Sequence, residues 1–85
     1  MKSFEFVIRD AVGIHARPAG MLVNLAKTCG SAVTIEKDGK SANAARLFAV
    51  MGLGIVCGDK IRVTAEGGDE TAAIDALRKF FEENL

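Results

Sequence analysis

Phe4, Phe6 and Ile8 alternate with Glu5, Val7 and Arg9, a period of two that predicts a strand with one buried face. After Pro18 the period changes. Ala19, Leu22, Val23 and Ala26 fall at i, i+3, i+4 and i+7, which predicts a helix over about 16–29 with Gly30 as its stop. Alternation returns in Val33–Thr34–Ile35–Glu36. The Asp38–Gly39 pair that follows accepts the positive φ angles of a tight hairpin, so a second and a third strand are expected to meet there. AARLFAVMGL, from Ala44 to Leu53, is apolar and rich in helix formers; Gly52 and Gly54 close it after about two turns. Beyond the Gly58–Asp59 turn, Ile61, Val63 and Ala65 alternate with Arg62, Thr64 and Glu66, the pattern of a fourth strand. Gly67–Gly68 then breaks the chain. Asp69 is placed to cap a last helix whose apolar face is Ala73, Ile74, Leu77, Phe80 and Phe81.

The order is strand, helix, strand, strand, short helix, strand, helix, and nearly every strand has one polar side, through Glu5, Arg9, Thr34, Glu36, Arg62, Thr64 and Glu66. One face of the sheet must then meet water. Antiparallel sheets tolerate that, and parallel sheets are normally covered on both sides. The expectation is an α+β, open-faced β-sandwich: a four-stranded antiparallel sheet with three helices on one face. At 85 residues the chain forms a single domain, 1–85, that buries roughly 60% of the surface exposed by the unfolded chain. No internal repeat, linker or low-complexity segment interrupts it.

Charge narrows the function. Eleven basic residues balance eleven acidic ones, which argues against a nucleic-acid groove or a polybasic membrane patch. MKSFEFVIRD has no signal-peptide core, and no apolar run approaches the roughly 20 residues that span a bilayer, so no membrane insertion and a cytoplasmic location are expected. Cys29 and Cys57 lack a CxxC spacing and read as free thiols; with one histidine they make a poor ligand set, so neither a metal nor a cofactor is expected.

The chemistry concentrates in GIHARPAG, residues 13–20, which holds the only histidine, His15, and the only proline, Pro18, with Arg17 between them. A helix beginning at Ala16 leaves its first N–H groups without intrahelical partners and gathers partial positive charge there. Pro18 is tolerated in a first turn, and Gly13 lets the chain turn sharply out of the strand. His15 then stands at the N-cap beside a preformed anion site, with the guanidinium of Arg17 ready to receive phosphate oxygens. At about 4 Å and an effective dielectric near 20, a unit-charge attraction is worth roughly 4 kcal/mol before desolvation, against about 0.3–1 kcal/mol for the helix dipole. Arg17 should dominate. The bland alternative, a solvated cap residue beside an ordinary surface arginine, accounts for H-x-R-P spacing about as well. A self-contained enzyme is disfavoured, because no second histidine or adjacent nucleophile set completes an acid–base pair.

GIHARPA followed by an amphipathic helix, then KSAN, LFAVMGLG, GDKI and a C-terminal helix, resembles HPr, the histidine-containing phosphocarrier family of the bacterial sugar phosphotransferase system. The resemblance covers essentially the whole chain. It implies a phosphocarrier, not an enzyme with turnover: enzyme I passes a phosphoryl group to Nδ1 of His15, and an EIIA domain of a sugar permease receives it. Ala16, Arg17 and Pro18 match the phosphate-binding positions of the motif. Both partners in the family dock on the first helix and the short second helix, where Gly20, Met21, Lys27, Arg46, Leu47, Phe48 and Met51 fall in this chain. For Leu47 and Val50, core packing explains the sequence as well as an interface does; Phe48 and Met51 are the better interface candidates. Lys27 and Arg46 would steer acidic partners, and a monomer is expected. Arg46, read as lying in the first turn of the short helix, stands where many family members carry a regulatory serine. No such phosphorylation is then expected, and the alternative role is a regulatory interaction module or a pathway-specific paralogue lacking the serine-kinase switch.

Overall fold

The computed structural model describes residues 1–85. Strand β1 (Lys2–Val7) is followed by helix α1 (Ala16–Thr28), strands β2 (Ala32–Lys37) and β3 (Lys40–Asn43), helix α2 (Leu47–Met51), strand β4 (Lys60–Glu66) and helix α3 (Glu70–Asn84). The four strands lie in the order β1-β4-β2-β3, all antiparallel. The order in space was not readable from periodicity; it places the first strand and the last side by side.

Register explains why the alternation is uniform. Phe4 faces Val63 and Phe6 faces Ile61 across β1–β4, while Val63 faces Ile35 across β2–β4, so one face is continuously apolar. On the other face Glu5 opposes Arg62, and Arg62 opposes Glu36. Lys60 and Arg62 approach Glu5 at 3.5 and 3.6 Å, and such exposed pairs contribute about 0–1 kcal/mol each. This polar face is solvated; the helices cover the other. Phe81 is wholly buried at the centre of the core, with edge-to-face contacts to Phe4, Phe6 and Phe80 at centroid distances of 5.5 to 5.9 Å.

The helix ends follow from local chemistry. Gly30 at φ +71° closes α1, and Asp69 Oδ1 accepts from the Ala72 N–H at 3.1 Å at the start of α3. Asp38 and Gly39, at φ +51° and +81°, form the tight hairpin between β2 and β3. The short helix departs from expectation: it runs over Leu47–Met51 and not from Ala44. Asn43 is the reason. Its Oδ1 accepts from the Ala45 N–H at 2.8 Å and its carbonyl from the Arg46 N–H at 3.0 Å, which fixes Ala44 and Ala45 in a turn. Arg46 is therefore the N-cap of α2, with extended φ and ψ, and does not lie in the first turn. Cys29 and Cys57 are free, and burial pushes the Cys29 thiol up.

Candidate functional site

Residues 8–15 carry the chain from β1 to α1, and their main chain is held from two sides. Leu85 folds back, and its oxygen accepts from the Arg9 and Asp10 N–H groups at 2.6 and 2.8 Å. Asp10 in turn shapes the loop: its Oδ1 accepts from the Val12 N–H at 2.8 Å and its carbonyl from the Gly13 N–H at 3.0 Å. This is the same side-chain turn that Asn43 makes ahead of α2. On the opposite side, the Ile14 N–H donates to Ile55 O at 3.1 Å. Gly13 passes so close to that loop that a Cβ on it would lie 2.5 Å from Ile55 O and 2.6 Å from Val56 Cα. Its φ of +78° is a second reason for glycine.

The loop delivers His15 to the N-cap of α1 in extended conformation, half-buried, with its side chain taking no part in capping. The imidazole is thus not consumed by the helix. The first main-chain bond of α1 is Ala19 N–H to His15 O at 2.9 Å; the N–H groups of Ala16 and Arg17 have no main-chain or side-chain acceptor in the chain, and Pro18 has none to offer. Two open donors therefore stand beside the imidazole. Ala16 and Arg17 are exposed and Pro18 is buried, anchoring the first turn. No acidic residue occupies that turn to compete for the positive helix end.

His15, Arg17, Pro18 and Met21 line one shallow depression together with Asp10 and Asn84. Asp10 and Asn84 were missed in the sequence. Asp10 carried a signal, since an aspartate three residues before a glycine at a strand exit fits a side-chain turn. Asn84, whose Nδ2 donates to Phe80 O at 3.0 Å, carried none, because only the packing of α3 brings it here. The remaining candidates are spread over α1, α2 and its N-cap, outside this depression. Met21 is 43% exposed, Met51 38% and Phe48 85%; α1 packs against α2, so these side chains lie on two adjoining helices. Gly20 is half-buried, and a Cβ there would meet nothing. Leu47 is half-buried against the core and Val50 is wholly buried, so Val50 belongs to packing. Arg46 is exposed. Lys27 is exposed in the last turn of α1, twelve residues or about 18 Å along the helix from His15, and does not join the depression.

No group of three or more His, Cys, Asp or Glu side chains is arranged to hold a metal ion, and no helix is long and apolar enough to cross a membrane. An open imidazole beside two free N–H donors and an unpaired guanidinium can accept a tetrahedral anion from solvent or from a partner without a deep pocket.

Residues 2–83 match the family model described as the PTS HPr component phosphorylation site. The chain is 42% identical over 78 residues to the multiphosphoryl transfer protein of Escherichia coli O157:H7, a match covering 88% of this chain and 21% of that protein. It thus spans about a fifth of the length of that relative. Among solved structures, HPr-C-His from Thermoanaerobacter tengcongensis superposes with a TM-score of 0.93 at 38% identity, covering 98% of this chain and 93% of that one. The histidine-containing phosphocarrier protein of a mycoplasma gives 0.93 at 34% identity, covering 96% and 93%.

Proposed function

The chain belongs to the HPr family, and from that membership we propose that residues 1–85 act as one phosphocarrier domain of the bacterial phosphotransferase system, accepting a phosphoryl group from enzyme I on His15 and passing it to an EIIA domain. The observation that carries the assignment is the N-cap itself: an imidazole unused by its helix, with the Ala16 and Arg17 N–H groups open beside it. Attack by a ring nitrogen on the donor's phosphorus forms an N–P bond as the donor's bond to phosphorus breaks. The new phosphoryl oxygens are then met by the helix end and by Arg17.

The exposure of the site suits a relay. A carrier must bind phosphate firmly enough for transit and release it to the next nucleophile, and few charged ligands on an open surface serve both needs better than a closed cavity. The partners have to approach the same imidazole in turn, so they share a surface, and the candidates for it are Met21, which lines the depression with His15, and the exposed Phe48 and Met51 of the adjoining α2. Interfaces of such transient encounters are small.

Phe48→Ala tests the docking surface. Phe48 is 85% exposed, so truncation should leave the melting temperature within about 2 °C of the parent, while KM for enzyme I rises about tenfold or more. An unchanged KM would place docking elsewhere. The relay itself is tested by a chase: the phosphorylated protein is purified and mixed with EIIA domains, and phosphate should leave it and appear on the acceptor.

A further inference from the structure

Lys37, the last residue of β2, is far in sequence from the His15 motif, yet it is clipped to the loop on which that motif rests. Its Nζ lies 2.7 Å from Asp59 Oδ2 and donates to Gly54 O at 2.8 Å. The same Asp59 oxygen accepts from the Val56 N–H at 2.8 Å. Three points of the 54–59 loop are thus tied to one ammonium–carboxylate pair whose side chains are only 18% and 25% exposed. The Lys37 hydrogen bond, and after it that of the Val56 N–H, hold the Asp59 carboxyl below the usual aspartate range.

What lies against this loop is the entry to the site. Ile55 O accepts from the Ile14 N–H, Gly13 is in contact with Ile55 and Val56, and Ile8 exchanges main-chain bonds with the loop's far end: its N–H donates to Asp59 O at 2.9 Å and its carbonyl accepts from the Gly58 N–H at 2.8 Å. The segment leading to His15 therefore has its position set at both ends by residues 55–59. We propose that the Lys37–Asp59 pair is a positioning device for phosphoryl transfer: it fixes the 54–59 loop as a shelf for Gly13 and Ile14 and thereby sets the placement of His15 above the open end of α1. The proposal rests on the reading of His15 as the phosphorylated residue. Neither side chain touches the reacting atoms; both act through the main chain.

A surface ion pair alone would not carry this role, because such pairs contribute little. This pair differs in also binding two main-chain groups of the loop, so loss of the ammonium leaves Gly54 O without its Lys37 donor and the Asp59 carboxylate that accepts from the Val56 N–H without its cation. The expected consequence is local opening of the loop with the sheet intact. Misplacement of a reacting group by about 1 Å costs up to about 10²-fold in rate, and smaller offsets cost less.

Amide hydrogen exchange and phosphoryl transfer from enzyme I are to be measured on the parent and on Lys37→Met, Lys37→Arg and Asp59→Asn. In Lys37→Met, the Ile14 and Val56 amides should exchange about tenfold faster while the central amides of β2 and β4 keep the parent rate, and kcat/KM for phosphate acceptance should fall about five- to tenfold. Lys37→Arg, which retains donors for both Gly54 O and Asp59, should recover most of both. Asp59→Asn keeps an oxygen for the Val56 N–H and should shift the same amides by a smaller factor, which holds the test open if Lys37→Met folds poorly. Parent-level Ile14 exchange and transfer in folded Lys37→Met, or a loss of transfer that only follows the fraction unfolded, would overturn the positioning role. A parent that accepts no phosphate contradicts the carrier reading itself, and that outcome is distinct from equal transfer by parent and variant.

Discussion

Gly13→Ala is expected to cost about 2–4 kcal/mol of stability and to lower the melting temperature by roughly 10–25 °C. Two effects add. At φ +78° a Cβ meets its own carbonyl, and the same Cβ would stand 2.5 Å from Ile55 O and 2.6 Å from Val56 Cα, both main-chain atoms that cannot swing aside as a side chain can. A domain of this kind has about 5–15 kcal/mol in total, so the loss is a large share. Gly54→Ala provides the control: its φ is +65°, but a Cβ there meets nothing within 4 Å, so only the backbone term of about 1–2 kcal/mol applies. Urea unfolding of the two variants beside the parent separates conformation from contact. A Gly13→Ala midpoint equal to that of Gly54→Ala would mean that the 55–56 shelf yields freely. The folded fraction of Gly13→Ala should also transfer phosphate poorly, since the Ile14 to Ile55 bond lies on the path to His15.

Arg17→Ala should lower kcat/KM for phosphoryl transfer by about 10²-fold while leaving stability within about 0.5 kcal/mol of the parent. Arg17 is exposed and pairs with no carboxylate of the chain, so folding gains little from it. In the phosphorylated state it becomes the fixed cation nearest in sequence to a phosphoryl group carrying about 1.5 to 2 negative charges. Arg17→Lys keeps the charge but loses the paired donors of the guanidinium, and should recover only part of the rate. Because the pair is solvent-exposed, added salt should narrow the gap between parent and Arg17→Ala. Stopped-flow transfer at two ionic strengths reads both effects. Parent-level transfer by Arg17→Ala would assign phosphate stabilisation to the helix end alone.

Much of this architecture could be read from residue order. Strand faces follow from alternation, as in Phe4 and Phe6 against Glu5, and the hairpin follows from Asp38–Gly39, whose φ angles are both positive. His15 at an N-cap followed from Pro18 and the periodic Ala19, Leu22, Val23 and Ala26, because helix starts are determined by local chemistry. The start of α2 could not be read so well. AARLFAVMGL has helix-forming composition throughout, but the Asn43 side chain captures the Ala45 N–H, and a single hydrogen bond outweighs the small propensity differences of two alanines.

Contacts between distant segments had no local signal. Strand order, the meeting of Asp10 with Asn84 and the clip between Lys37 and Asp59 all depend on the packing of the sheet and α3, and each of these residues has an ordinary reading as a surface polar group. Exposure likewise decided Val50, which the sequence left between core and interface. Val50 and Met51 are neighbours on the same short helix, yet the first is wholly buried and the second 38% exposed.

The most direct measurement is phosphorylation of the protein by phosphoenolpyruvate and a bacterial enzyme I, followed by intact mass and by ³¹P and ¹H–¹⁵N NMR, with His15→Ala beside the parent. One acid-labile phosphoryl group on Nδ1 of His15 in the parent, and none on His15→Ala, is the predicted result. A parent that stays unmodified with several enzyme I homologues, or a phosphate that persists in His15→Ala, would contradict the carrier assignment.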